Sequence, residues 1–214
     1  MVLAVGLLAA GCGKSNSNPT VSQNNSQSVQ PLATASPSPS AGVPSGQLKT
    51  IIVPPPTTPY TSTADNFTIN FPNAPKISKS IFPSSSARAI PVTRYRQVFS
   101  SGGQDAYYTL DVYHYPITYK FSSDYLGTAL INFVKLVNIE FPGTTIISQQ
   151  STQFLGQSAV TASLLVPLKI NGTIVNTGGS LLITVNGQNT YGLGTYGMSQ
   201  DNYNAFISSF KFTK

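Results

Sequence analysis

Charge is what this chain has least of. Only 8% of its 214 residues are Asp, Glu, Lys or Arg, against about a quarter in an ordinary globular domain. The net charge of +6 comes from six acids set against 12 Lys and Arg, a scarcity of acids rather than a dense basic patch. Lys76 with Lys79, and Arg88 with Arg94 and Arg96, come nearest to a cluster. A nucleic-acid surface needs a basic stripe interleaved with stacking aromatics, so no nucleic-acid partner is expected. A general attraction to an anionic envelope surface is the more modest implication. With one His, one Cys and scattered acids, no metal-ligand spacing and no calcium-loop pattern can be drawn. No metal and no cofactor are expected. A single cysteine also excludes a disulfide framework within the chain.

Ser, Thr, Asn, Gln and Gly stand where the missing charges would be, a composition common outside cells and in linkers. Apolar residues make up 40%, enough for a core but not for a multi-span membrane protein.

Val2 to Ala10 is an almost unbroken apolar run. It has the length of a signal-peptide core and is too short to span a bilayer as a helix. It ends in Ala9-Ala10-Gly11 directly before Cys12. The stretch Leu7-Leu8-Ala9-Ala10-Gly11-Cys12 resembles a bacterial lipobox. That resemblance implies diacylglycerol on the Cys12 sulfur, cleavage that leaves Cys12 first, and an extracytoplasmic protein anchored to the cell membrane by its N-terminal lipid. Ala9 stands where the pattern prefers Leu, and no Lys or Arg precedes the run; a start upstream of Met1 would account for the second departure. Two or three acyl chains anchor stably where one is marginal.

Residues 13–65 read as a disordered linker. Ser36-Pro-Ser-Pro-Ser40 and Pro54-Pro-Pro-Thr-Thr-Pro59 are typical of it, and such composition buries too little surface to offset chain entropy. Thr50-Ile-Ile-Val53 is its one apolar island, placed to dock on a folded domain.

The folded domain is expected over 66–214. Phe67-Thr-Ile-Asn-Phe71 alternates with period two, the mark of a half-buried strand. Pro75, Pro83 and Pro91 then punctuate an irregular stretch. Arg94–Ser100 is a second strand, followed by the turn Ser101-Gly-Gly103. Ala106–Tyr115 has large side chains on both faces, so it is covered on both. Ser122 or Ser123 caps a helix with Asp124 in its first turn, and Leu126, Leu130, Phe133 and Val137 give its apolar stripe. Pro142-Gly143 ends it. A meander follows: Thr144–Thr152, a strand with Val160, Ala162, Leu164 and Val166 on one face, a turn at Asn171-Gly172, a strand to Val185 with a bulge at Gly178-Gly179, a turn at Asn186-Gly187, and Thr190–Tyr196. Ser199 caps a last helix with Tyr203, Phe206, Ile207 and Phe210 on one face, and Ser209–Phe212 ends it or forms a short strand. The fold class is therefore α+β: an antiparallel sheet of about six to seven strands flanked by two helices.

This order resembles the PsbP-like fold, named after an extrinsic subunit of photosystem II. The pieces that carry the resemblance are Phe67–Pro72, Phe154-Leu-Gly-Gln-Ser-Ala159 and Ser208-Ser-Phe-Lys-Phe212. The resemblance implies an accessory or partner-binding protein rather than an enzyme, with no binding residues to carry over.

No catalytic motif is visible. His114 could form a Ser-His-Asp site only with Asp111 or Asp105, and Asp111 falls on the opposite strand face. A glycosidase-type carboxylate pair could be drawn from Asp105, Asp111, Asp124, Glu140 or Asp201 only if tertiary folding assembled it. Gly192-Leu-Gly194 and Gly178-Gly179 open no helix, so they are not phosphate loops; bulges or close backbone approach explain them. Eleven tyrosines, several between Tyr95 and Tyr125, fit half-buried sheet packing better than a glycan or protein patch. The expectation is a monomeric, lipid-anchored accessory or binding protein, attached through Cys12, that presents its domain to an envelope protein or polymer. The alternatives are an envelope hydrolase assembled from scattered residues and a small-ligand carrier.

Overall fold

A computed structural model describes residues 52–83 and 89–213. All of them fall in one compact unit, Gly46–Lys214. Cys12, the signal-like run and the linker up to residue 51 lie outside the described residues.

The first elements are β1 (Thr58–Ser62) and β2 (Phe67–Phe71), paired as an antiparallel hairpin. The alternation of β2 does what its period requires. Phe67, Ile69 and Phe71 are fully buried while Thr68 and Asn70 are half-exposed. The expected linker ran to residue 65, yet β1 and the loop after it belong to the fold. Strand β1 reads as linker because its residues are Thr, Pro, Tyr and Ser; its order comes from β2 beside it. Next come β3 (Lys76–Pro83), β4 (Ala89–Ser101) and β5 (Gln104–His114). Strand β3 was expected as an irregular stretch. It is an edge strand, and its bounding prolines sit where one side of a ladder needs no donor.

Helix α1 (Tyr125–Glu140) buries Tyr125, Ala129, Leu130, Phe133 and Val137. Three of the four stripe residues expected are among them, and Leu126 is only partly buried against the same cluster. The capping expectation is corrected. Asp124 itself is the N-cap, and no side chain caps the helix. The meander is β6 (Thr145–Phe154), β7 (Gln157–Ile170), β8 (Thr173–Asn186) and β9 (Asn189–Tyr196). Helix α2 (Gln200–Ser209) follows, capped as expected by the Ser199 hydroxyl, which accepts from the Asn202 N–H. The tail Lys211–Phe212 is β10, paired to Phe67 and Thr68 of β2.

Two antiparallel sheets result. One has seven strands in the order β3-β4-β5-β9-β8-β7-β6, and the other has three, β1-β2-β10. The large sheet meets the expected strand count; the small sheet is additional. Asn171 and Gly172 form the β7–β8 turn with φ of 50° and 84°, the left-handed pair of a type I′ hairpin. The β8–β9 turn is centred one residue later than expected, on Gly187-Gln188, since Asn186 pairs with Asn189. No register shift occurs at Gly178-Gly179. The irregularity lies between Ile146 and Ser148 of β6.

The sheet is covered on both faces. On one, α1 packs over Val92, Tyr113, Leu164, Val166, Ile183 and Tyr196. On the other, β2 and α2 pack over Tyr95, Tyr108, Leu110, Val112, Tyr191 and Leu193. Strand β5 lies between these layers and has eight consecutive buried residues, as its two-sided apolar pattern required. The second cover stops short. Every residue of β6 from Thr145 to Gln153 is exposed, and on the face of β7 away from α1 Thr161, Ser163, Leu165, Pro167 and Lys169 are exposed or half-exposed.

Candidate functional site

His114, the only histidine, ends β5 on the face of the small sheet. Its Nε2 lies 3.0 Å from the Thr93 hydroxyl and 3.6 Å from an Asp65 carboxylate oxygen. Asp65 is buried in the β1–β2 loop. Its N–H donates to the Ser62 hydroxyl, its carboxylate accepts from the Tyr95 hydroxyl, and its carbonyl accepts from the Tyr191 hydroxyl at 2.9 Å. A hydrolytic triad sets the carboxylate on one ring nitrogen and the nucleophile on the other. Here one nitrogen faces both groups. The network clips the small sheet to β4, β5 and β9. Asp65 is the last residue of the expected linker, and nothing local in the sequence marks its partners, which are brought together from β1, β4, β5 and β9.

Neither expected partner of His114 reaches it. Asp105 accepts from Ser100 and Tyr107 at the far end of β5, nine residues and so about 30 Å away along the strand. Asp111 faces α1, as strand alternation required, and takes both ends of the Arg94 guanidinium at 2.7 and 2.9 Å. Burial opposes the Arg94 charge, but the Asp111 bonds outweigh it and hold its pKa above the ordinary value. Arg94 also reaches Glu140 at 3.4 Å, and Arg96 binds the other Glu140 oxygen. The Arg96 guanidinium sits 4.4 Å from the centroid of the Tyr107 ring. Asp111 and Glu140 are thus the two carboxylates that folding gathers, and each is held by arginine. Among the described residues no three His, Cys, Asp or Glu side chains converge as a metal site, and no helix is long and apolar enough to cross a membrane.

The tyrosines pack as expected. Apart from half-buried Tyr60 and Tyr119, all are buried. Tyr115, Tyr119, Phe121 and Tyr125 form one aromatic knot at the entrance to α1, with neighbouring ring centroids 4.3 to 6.2 Å apart. Gly179, Gly192 and Gly194 mark close approach rather than bulges, whereas a Cβ on Gly178 would meet nothing. A Cβ on Gly192 would lie 1.9 Å from the Phe133 ring, and one on Gly179 would lie 2.8 Å from Val166.

What remains open is the sheet face beside α2. Ser148, Ser163, Ser180 and Thr195 stand opposite one another across β6, β7, β8 and β9, and Gln150 stands opposite Thr161 in the next row. Gln200 and Tyr203 of α2 form the wall. The resulting groove has a volume of about 380 Å³, within the range of ligand clefts. None of its lining residues is charged. Among the described residues, Ser148, Gln150, Ser163 and Tyr203 make no side-chain hydrogen bond, while Ser180 and Gln200 are joined loosely at 3.4 Å. Burial pushes the Tyr203 hydroxyl up to about 12, so it is a neutral donor at physiological pH. The sequence did carry one signal of this site. Strand β6 has Ser, Gln and Thr on both faces, a pattern that cannot be buried and must lie at an edge. That α2 would wall it had no local sign. A second depression, of about 740 Å³, is lined by Val53, Pro55, Met198 and Asp201 and bordered by Ile52, where the described chain begins.

No protein family and no curated protein matches the sequence. Among solved structures, the chain is similar to the solution structure of cyanobacterial PsbP (CyanoP) from Synechocystis sp. PCC 6803. The identity is 14%, over 80% of this chain and 98% of that one, with a TM-score of 0.46. At that level of similarity, what this chain does rests on its own residues.

Proposed function

We propose that this protein is a lipid-anchored, extracytoplasmic accessory or binding protein that presents its α+β domain to a protein or polymer of the cell envelope. The observation that carries the binding part is the half-covered sheet. Its central strands are closed on both faces, whereas β6 stays open and uncharged and the groove it forms with β7 and α2 has no charged lining residue. Soluble domains blunt such edges with lysine or proline. Strand β3, the other edge, carries Lys76 and Lys79, but β6 carries no charge and no proline. The anchoring part is supported by the apolar run that ends in Ala9-Ala10-Gly11 before Cys12.

The test is the mass of the N-terminal peptide of the native protein, together with envelope fractionation and cross-linking. The expected peptide begins at a diacylglycerol-modified Cys12, and the protein partitions with membranes. An unmodified peptide that retains Met1 would overturn the anchor and the extracytoplasmic placement together.

A further inference from the structure

We infer that the groove between α2 and the β6–β8 face binds an uncharged glycan chain. This deepens the reading above by choosing the class of envelope partner. The ligand class follows from the lining. A neutral sugar presents hydroxyls that both donate and accept, and it carries no charge to neutralise. Amide side chains answer it best, because one group offers two donors and an acceptor side by side. Gln150 of β6 and Gln200 of α2 both line the groove with such amides, with the Thr161, Ser163 and Ser180 hydroxyls on the sheet floor. Tyr203 adds a ring with a polar tip, the residue type that suits a half-wet contact.

The exclusions point the same way. The chain carries 12 Lys and Arg, yet none lines this groove, so phosphate, carboxylate and sulfate ligands find no counter-charge. An apolar ligand would leave the Gln150 amide and the Ser148 and Ser163 hydroxyls unpaired, each at a cost of about 1–3 kcal/mol when desolvated. The floor is periodic. Ser148, Ser163 and Ser180 form a row across three strands of the floor spaced about 4.8 Å apart, close to the advance per ring of an extended glycan. The volume of about 380 Å³ holds a segment of about two rings. The groove opens past the free edge of β6, so a longer chain can run through.

The experiment is nuclear magnetic resonance titration of the isotope-labelled full chain. The probes are neutral oligosaccharides of glucose, mannose and N-acetylglucosamine, with polygalacturonate as the anionic control. At least one neutral probe should shift the Gln150 and Gln200 side-chain amides and the β6–β7 backbone amides. Raising the salt should leave its affinity unchanged. Gln150→Ala and Gln200→Ala should each weaken binding by about tenfold, with an unchanged circular dichroism spectrum; Tyr203→Phe should fold and bind more weakly. Binding only to polygalacturonate, lost in salt, would overturn the inference. Shifts confined to another surface would also overturn it while leaving a glycan-binding envelope protein in place. No shift with any neutral probe would overturn it, and the N-terminal mass would still decide the anchoring separately.

Discussion

Substituting Gly192 by Ala tests how tightly α1 is seated on the sheet. Gly192 lies on β9 between β5 and β8, opposite Asp111 and Ile183, so its backbone is held on both sides and cannot retreat. Its φ is not in the left-handed region, and alanine therefore fits the backbone. The added methyl would meet Phe133 ring atoms at 1.9, 2.4 and 2.5 Å. That ring is itself buried against Tyr113, 4.4 Å away between centroids, so it has little room to turn. Overpacking of this kind costs about 1–3 kcal/mol. The smaller entropy of an unfolded chain with alanine returns about 0.4–1 kcal/mol. The net loss expected is about 1–2 kcal/mol. Urea unfolding followed by circular dichroism would show it as a midpoint lowered by about 0.5–1 M with an unchanged slope. Phe133→Leu removes the ring and costs stability by itself, less than the 3–5 kcal/mol typical of Phe→Ala. In that background Gly192→Ala should cost nothing or stabilise slightly, a coupling of about 1–2 kcal/mol between the two sites. Additive losses, or a Gly192→Ala variant as stable as the parent, would refute the close seating of α1.

Two further outcomes follow from the turns and the tyrosines. Leu155 holds a left-handed φ of 50° before Gly156 and is half-exposed, a conformation that costs most L-residues about 1–2 kcal/mol. Leu155→Asn should raise the melting temperature by a few degrees, and Asn171→Leu, at the matching position of the β7–β8 turn, should lower it; opposite signs would show that side-chain packing, not φ, governs these turns. Burial raises the Tyr107 and Tyr203 hydroxyls to about 12, with Asp105 adding to the first, and raises Tyr95, Tyr108, Tyr113, Tyr125 and Tyr196 further. The folded state thus binds more protons than the unfolded one above pH about 10. Stability is fully present below that pH and falls as pH rises through 12. Tyrosinate absorbance should therefore rise late and together with loss of circular dichroism, and most tyrosines ionising near pH 10 in a still-folded chain would contradict the burial.

Much of the fold was legible in the sequence because local patterns and the final packing agree. The period of Phe67–Phe71, the two-sided apolar run of β5, the stripe Leu130, Phe133, Val137 and the cap at Ser199 each state an environment that the structure supplies. These are short-range signals, and burial of one face is enough to make them. Where the pattern was silent, order came from a neighbour. Strand β1 carries linker composition and is a strand only because β2 offers a ladder. Strand β3 sits among prolines and is one because β4 lies beside it. Glycine pairs in β8 and β9 carried no sign of whether a bulge or a close contact was meant, since the difference lies in Phe133 and Val166.

The α+β class, the order of helices and meander, the turn at Asn171-Gly172 and the scarcity of charge are all carried by the chain's local patterns and composition. The chain also carries Cys12 and the apolar run before it, the whole basis of the anchoring proposal. Packing of distant segments alone makes His114 meet Asp65 rather than Asp111, sets Arg94 and Arg96 on Asp111 and Glu140, and brings Gln150 of β6 and Gln200 of α2 to one groove. Those meetings join residues from 17 to 50 positions apart in the chain. Local propensity acts over a few residues, and only packing of the sheet against α2 brings such side chains within reach of one ligand.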